Sequence, residues 1–190
     1  MIRVGAGEFK RRKLLTLKGT DTRPTADRVK GAIFSMVKQD IPGAICLDLF
    51  TGTGALGIEA LSRGAERVYF CDRSKASIIV LKKNLAICGI DDRRAVVILK
   101  DWRAAVSIIE EKCNLVFIDA PYNMCEYYPQ ILESLAHEHV LEKDASLVIE
   151  RDALADLYVL PLGFEKVTRK RYGNVGVDLL RYTGAGERNG

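Results

Sequence analysis

Short apolar runs alternate with helical stretches through the middle of this 190-residue chain. The apolar runs have the near-continuous hydrophobic character of strands buried on both faces of a parallel sheet, and they cover residues 44–49, 67–71, 95–99, 115–118 and 146–150. The stretches between them have the spacing of amphipathic helices and cover residues 56–63, 74–88, 102–111 and 127–136. This order predicts an α/β fold with a doubly wound, mostly parallel sheet and right-handed crossovers.

The last part of the chain breaks this alternation. Residues 164–171 and 177–182 are strand-like runs joined by Tyr172, Gly173 and Asn174, which is a hairpin signal. An antiparallel hairpin at the edge of a parallel sheet is typical of class I methyltransferases and not of standard dinucleotide dehydrogenases. We therefore expect a Rossmann-like, seven-stranded, mostly parallel sheet with an antiparallel hairpin at its C-terminal end.

The first part of the chain predicts a smaller unit. Residues 2–17 contain short β-compatible stretches, which suit a small hairpin or ribbon. A helix then runs to about Lys38, with Thr25 or Asp27 as its N-cap. We expect a single domain over residues 1–190, in which residues 1–25 form a basic N-terminal ribbon appendage and residues 184–190 a frayed tail.

Basic residues are concentrated at the start of the chain. Residues 1–30 hold nine Lys or Arg and three acidic residues, whereas the remaining residues hold 20 basic and 22 acidic ones. A positive segment on a near-neutral body is the electrostatic footprint expected for a polyanionic partner, although a solvated charged surface explains it equally well. The candidate RNA-binding residues are Lys10, Arg11, Arg12, Lys13, Arg23, Thr25 and Arg28.

Composition excludes several classes of protein. No apolar run approaches the roughly 20 residues that span a bilayer, and the N-terminus lacks a signal-peptide pattern, so we expect the protein to stay in the cytoplasm. The five cysteines include no C-x-x-C pair. His137 and His139 form an H-x-H pair without nearby ligands, which favours a solvated helix end. We therefore expect neither a disulfide framework nor a bound metal.

A glycine-rich G-x-G-x-x-G sequence lies between the first predicted strand and helix of the sheet. Gly52 and Gly54 allow a tight turn and a close approach of backbone to ligand. Asp72 ends the next strand, where a carboxylate can bind ribose hydroxyls, and Asp101 ends the strand after it, near the expected adenine. Taken alone, either acid is equally well explained as a helix cap.

Three carboxylates beside the glycine loop, those of Asp48, Asp72 and Asp101, favour a positively charged cofactor. They would repel a pyrophosphate, but they suit a sulfonium cation, so we expect the cofactor to be S-adenosylmethionine. The candidate cofactor-binding residues are Asp48, Phe50, Thr51, Gly52, Gly54, Asp72, Arg73, Asp101 and Trp102.

The fourth predicted strand ends in Asp119, Ala120, Pro121 and Tyr122, at the edge where ligands bind in open α/β sheets. An exocyclic base amine is a poor nucleophile because its lone pair is delocalised into the ring. The Asp119 carboxylate and the Ala120 carbonyl can accept its two hydrogens, Pro121 restricts the Ala120 backbone, and Tyr122 can stack on a flipped base. The alternative interpretation is a helix-capping turn with a buried tyrosine.

With these residues the chain resembles the bacterial 16S rRNA guanine-N2 methyltransferases of the RsmD type, from residue 1 to about residue 182. The resemblance is carried by residues 7–14, 23–30 and 48–65 and by Asn84, and the R-P-T segment with the long run after Asp48 is highly specific. It implies methylation of one guanine N2 in small-subunit rRNA, within an assembled particle. The chain departs from the family's usual D-P-P-Y or D-P-P-F, because Ala120 replaces the first proline and removes one rigid ring.

Other functions fit parts of this pattern. D-x-P-Y also suits methylation of adenine N6 in nucleic acid or of a protein glutamine amide. A non-catalytic RNA-binding protein that acts in ribosome assembly is a second class, and an NAD-linked oxidoreductase is a third. The glycine loop together with Asp72 and Asp119 disfavours the second class, and the terminal hairpin disfavours the third.

Overall fold

The computed structural model describes residues 2–17, 24–155 and 158–184, and for residues 24–26, 122, 123 and 125 it describes the backbone. Its centre is a seven-stranded sheet. Five of its strands run parallel to one another, and they are β3 (Ile45–Asp48), β4 (Arg67–Asp72), β5 (Ala95–Leu99), β6 (Cys113–Ile118) and β7 (Leu141–Asp152). They lie in the order β5-β4-β3-β6-β7, and two further strands continue the sheet beyond β7. The predicted fold class is confirmed.

The C-terminal hairpin is also confirmed. Strands β8 (Phe164–Tyr172) and β9 (Val175–Tyr182) pair antiparallel, and β9 pairs antiparallel with β7. The turn between them contains Gly173, whose φ of 64° lies in the left-handed region that glycine adopts without strain. The hairpin therefore completes the edge of the sheet beyond β7.

Helices cover both faces of the sheet. On one face, α1 (Pro24–Met36), α2 (Ala55–Ser62) and α3 (Lys75–Cys88) share a hydrophobic core with Phe117 of β6. On the other face, α4 (Trp102–Val106) and α5 (Tyr128–His137) pack on Val116 and Ile118 of the same strand. This alternation of faces along β6 follows from the two-residue period of a strand.

Several element boundaries differ from the prediction, among them those of α1, α4 and β7. Helix α1 begins at Pro24, whose ring suits the first turn of a helix, so Thr25 and Asp27 lie inside the helix and neither caps it. Helix α4 ends at Val106 instead of continuing to residue 111, because the Glu111 carboxylate bonds Arg67 and Tyr69 of β4 and draws the chain back to the sheet. Strand β7 starts five residues early, at Leu141.

The N-terminal ribbon forms, but it is not an appendage. Strands β1 (Ile2–Arg3) and β2 (Lys13–Leu14) pair antiparallel, and Val4, Phe9 and Leu14 are buried in the same core as α1 and α2. The backbone N–H groups of Gly5 and Ala6 donate to the buried carboxylate of Glu59 in α2. The basic run is therefore held rigidly against the body of the fold.

No helix in the described part of the chain has the length and apolar character needed to cross a membrane.

Candidate active site

A cavity of about 220 Å³ opens at the carboxyl ends of the parallel strands. Its lining brings together most of the side chains that the sequence singled out, from both the cofactor set and the catalytic set. These residues are Phe50, Gly52, Asp72, Arg73, Asp101, Trp102, Asp119 and Pro121. The glycine loop after β3 and the acid after β6 thus face one common space.

Asp48 and Thr51 hold the shape of the glycine loop from inside. Asp48 is 1% exposed, and its Oδ2 accepts hydrogen bonds from the Thr51 hydroxyl at 2.7 Å and from the Gly57 N–H at 2.9 Å. Desolvation by burial raises the pKa of Asp48 to about 7, against the lowering effect of these two bonds. Both residues were predicted to contact the cofactor; neither lines the described cavity, because their polar atoms are bonded within the loop.

Two glycines are required by close packing around this loop. Gly54 has a φ of +87°, and a Cβ there would lie 2.4 Å from Leu81 Cδ1 of α3. A Cβ on Gly57 would lie 2.3 Å from the Phe70 ring of β4. The missing side chain of Gly57 therefore allows helix α2 to lie close to the sheet.

Asp72 connects β4 to the glycine loop while it lines the cavity. Its Oδ2 accepts the Gly52 N–H and its Oδ1 accepts the Ser74 N–H, both at 2.8 Å. The N-cap of α3 is Ser74, whose hydroxyl accepts the Ser77 N–H, so helix capping does not explain Asp72. Each carboxylate oxygen retains capacity for a further hydrogen bond, as ribose binding requires.

Asp101 both caps a helix and faces the cavity. It is the N-cap of α4, where Oδ1 accepts the Arg103 N–H at 3.2 Å, so the capping interpretation holds for this acid. The next residue, Trp102, is 4% exposed, and the Arg103 guanidinium lies 4.2 Å from its ring centroid. The Arg103 guanidinium therefore covers one face of the Trp102 ring.

The Trp102 Nε1–H is buried and has no hydrogen-bond partner among the residues that the structure describes. An unpaired buried donor costs about 1–3 kcal/mol. Trp102 lines the cavity with other atoms of its side chain, because the Nε1 atom itself is enclosed by protein. The carboxylates of Asp72 and Asp101 in this lining fit a cationic cofactor with a nucleoside part.

The D-A-P-Y segment follows β6 as predicted. Asp119 is exposed to the cavity, Ala120 is 2% exposed, and the Pro121 carbonyl accepts the Met124 N–H at 2.8 Å, which fixes the turn. Desolvation by the surrounding protein raises the pKa of Asp119, and the charge of Glu150 raises it further. Tyr122 begins a 3₁₀ helix (Tyr122–Tyr127), and its side chain lies outside the described part of the structure.

Asp119 also lines a second cavity, of about 130 Å³, on the α1 and α2 side of the sheet. Glu150, at the carboxyl end of β7, lines this cavity with Asp27 and Lys30. Neither Glu150 nor Lys30 was among the site residues predicted from the sequence. The one sequence signal for this set is the three-residue spacing of Asp27 and Lys30, which places both side chains on the same face of a helix.

The structure describes the side chains of five of the seven predicted RNA-binding residues. Lys10, Arg11, Arg12 and Lys13 are exposed, but Arg12 Nη1 donates to the Ile87 carbonyl at the end of α3. Arg11 lines a groove with Arg3, Arg63 and Lys30, and this groove shares Asp27 and Lys30 with the second cavity. Arg28 is exposed on α1; Arg23 and the side chain of Thr25 lie outside the described residues.

Known proteins are similar to almost the whole chain. A model of the family described as conserved hypothetical protein 95 matches residues 2–181. YlbH of Bacillus subtilis is 37% identical over 187 residues, which are 96% of this chain and 100% of YlbH. Ribosomal RNA small subunit methyltransferase D of Escherichia coli is 31% identical over 98% of this chain and 92% of its own length.

The fold is shared with a solved structure as well. The protein yhhF from Escherichia coli superposes with a TM-score of 0.84 and 28% identity, over 96% of this chain and 98% of yhhF. The superposition therefore leaves only about 4% of this chain uncovered.

Proposed function

The chain belongs to the conserved hypothetical protein 95 family, the RsmD family, and on this premise we propose that it methylates the N2 amine of a guanine in small-subunit rRNA. The methyl donor is S-adenosylmethionine. One observation carries the proposal: Gly52, Asp72 and Asp119 line a single cavity, so a cofactor at the glycine loop and an amine at Asp119 meet there. The names of the E. coli and Haemophilus influenzae relatives, at 31% and 34% identity, support the rRNA substrate.

The residues that would hold the cofactor line the 220 Å³ cavity. Asp72 would bind its ribose hydroxyls, Asp101 would face its adenine amine, and the side chain of Trp102 would pack against it. Asp48 and Thr51 act indirectly, because they keep the loop in the shape that leaves Gly52 open to the cavity. When bound, the cofactor supplies an electrophilic methyl group on a sulfonium centre.

The amine is held by the segment after β6. The Asp119 carboxylate accepts one N–H of the amine and the Ala120 carbonyl accepts the other, so that the nitrogen lone pair is aimed at the methyl group. The methyl group would leave the sulfur as it bonds to the nitrogen, and Asp119 or water would take up the extra amine proton. Positioning is the main contribution, and it can supply several kcal/mol, so no histidine or cysteine is needed.

The RNA is held by the basic ribbon. Lys10, Arg11 and Lys13 are exposed on a rigid element and contact phosphates, while Arg12 contributes less because its guanidinium is bonded to the Ile87 carbonyl. Arg28, which is exposed on α1, extends this contact, and we assign Arg23 and Thr25 to it from the sequence alone. We place the reaction in the cytoplasm, on an assembled or assembling small ribosomal subunit.

The chemical identity of the product tests this proposal. Small subunits from cells that lack the enzyme are incubated with the protein and methyl-labelled S-adenosylmethionine, and the rRNA is digested to nucleosides for mass analysis. We expect N2-methylguanosine at one position. Label in N6-methyladenosine, in protein or nowhere would overturn the assignment, and the first two outcomes would indicate the alternative amino-group substrates.

A further inference from the structure

The second cavity places two carboxylates side by side. Strands β6 and β7 are parallel with Ile118 opposite Ile149, so the next residues, Asp119 and Glu150, follow one another across the sheet edge. Both line the 130 Å³ cavity, and the charge of Glu150 raises the pKa of Asp119. The two side chains therefore face the same space and interact.

Among the residues that the structure describes, neither carboxylate forms an ion pair. Lys30 lines the same cavity, but its Nζ forms an ion pair with Glu59 at 3.1 Å and donates to the Arg3 carbonyl. Within residues 2–17, 24–155 and 158–184, no Lys, Arg or His nitrogen lies within 4.0 Å of a carboxylate oxygen of Asp119 or Glu150. Desolvation also raises the pKa of Glu150. A pair of adjacent acids in this state is stabilised by a ligand that brings two N–H donors.

The remaining walls suit a flat ring. Ala55 and Leu56, at the start of α2, and Ile2 of β1 give the cavity an apolar lining around the two acids. The volume of about 130 Å³ is slightly below the roughly 150 Å³ of a cavity that encloses a benzene ring, so this cavity has room for the edge of a purine's six-membered ring and not for the whole base. The shared lining residue Asp119 connects that ring to the cofactor cavity.

We propose that this cavity receives the Watson–Crick edge of the target guanine, with Glu150 accepting the N1–H while Asp119 accepts an N2–H. This inference rests on the proposed function and makes Glu150 the residue that determines base specificity. Guanine presents N–H donors at N1 and N2 next to each other, whereas adenine presents an acceptor at N1 beside its amine. The paired acceptors of the site match guanine and repel adenine.

A base analogue separates the role of Glu150 from that of Asp119. 2-Aminopurine has the same exocyclic amine as guanine, but its N1 carries no hydrogen. Small subunits are reconstituted with rRNA that holds guanine, 2-aminopurine or 1-methylguanine at the methylated position, and kcat/KM is measured for each. The wild-type protein is compared with Glu150→Gln and with the control Glu142→Gln, an exposed acid at the opposite end of β7.

The wild-type protein is expected to prefer guanine over both analogues by about 10- to 100-fold, the range for a lost hydrogen bond to a charged group. Glu150→Gln should reduce the preference over 2-aminopurine by about tenfold or more, because an amide can donate to the unprotonated N1. Glu142→Gln should leave the preference unchanged.

Several results would overturn the inference. The inference would be wrong if Glu150→Gln kept the wild-type preference, or if the wild-type protein turned over 1-methylguanine as well as guanine. Both results would leave the proposed N2 methylation intact. An unchanged preference together with weaker S-adenosylmethionine binding, measured by calorimetry, would assign the cavity to the cofactor. If the wild-type product on guanine is not N2-methylguanosine, the proposed function itself fails, and this result is seen before any variant is made.

Discussion

The proposed reaction depends on the carboxylate of Asp119, and the groups around this side chain determine its protonation state. Desolvation and the Glu150 charge raise its pKa, and the second cavity also exposes it to Asp27 and Lys30. The amine needs the carboxylate form as acceptor. Methylation is therefore present above the raised pKa of Asp119 and is lost as the pH falls through it.

The pH profile of kcat/KM measures this effect, since it reports the free enzyme. We expect an acidic limb that lies above the ordinary carboxylate range near pH 4. Glu150→Gln removes one raising charge and should move the limb to lower pH. A limb at the ordinary value, with the protein still folded, would show that the carboxylate of Asp119 does not have the surroundings described.

Two glycines make a matched pair for stability. Gly54→Ala should lower the free energy of unfolding by about 1–3 kcal/mol, because its Cβ meets Leu81 and its φ is positive. Gly31→Ala, on the exposed side of α1, meets nothing within 4 Å and should stabilise the protein by about 0.5–1 kcal/mol. Urea denaturation of both variants checks this; equal effects would mean that the loop is not tightly packed.

At the scale of elements, the ribbon is the part whose role is most open to test. Its core contacts and the hydrogen bonds to Glu59 fix the basic run in place. Replacing Lys10, Arg11 and Lys13 with serine should weaken binding to small subunits. The slope of log Kd against log salt should fall by about 2, because each phosphate contact contributes about 0.7–0.9 to that slope.

A control for that experiment uses exposed lysines elsewhere on the molecule. These are Lys38, Lys112 and Lys143, and their joint replacement with serine should leave the salt slope nearly unchanged. Filter binding over a range of potassium chloride concentrations measures both triple variants. Equal slopes for the ribbon variant and the wild-type protein would remove the ribbon from the RNA contact.

Element types were predictable from the sequence because hydrophobic periodicity decides them, and the five parallel strands and the hairpin followed it. The element boundaries were less predictable from the sequence, because they depend on tertiary contacts. The early end of α4 follows from the bonds of Glu111 to Arg67 and Tyr69, which are more than 40 residues away. The burial of Phe9 against the body had no local signal either.

At the scale of the whole molecule, the site is the product of topology. Parallel strands deliver Asp72, Asp101 and Asp119 to one edge, which the sequence pattern anticipated. Glu150 was not predicted as a site residue, because its position beside Asp119 depends on the pairing and register of β6 and β7, which the sequence does not give. Asp48 was assigned to the cofactor itself because its internal bonds to Thr51 and Gly57 leave no trace in the sequence.

The most direct test of the account separates cofactor binding from methyl transfer at the two ends of the cavity. S-adenosylmethionine affinity is measured by calorimetry and turnover on small subunits for Asp72→Asn and Asp119→Ala. We expect Asp72→Asn to weaken binding by about tenfold or more, and Asp119→Ala to abolish turnover while its affinity stays within about tenfold of the wild type. Loss of both affinity and turnover in Asp119→Ala, or turnover that survives in it, would contradict the claim that Asp119 holds the amine.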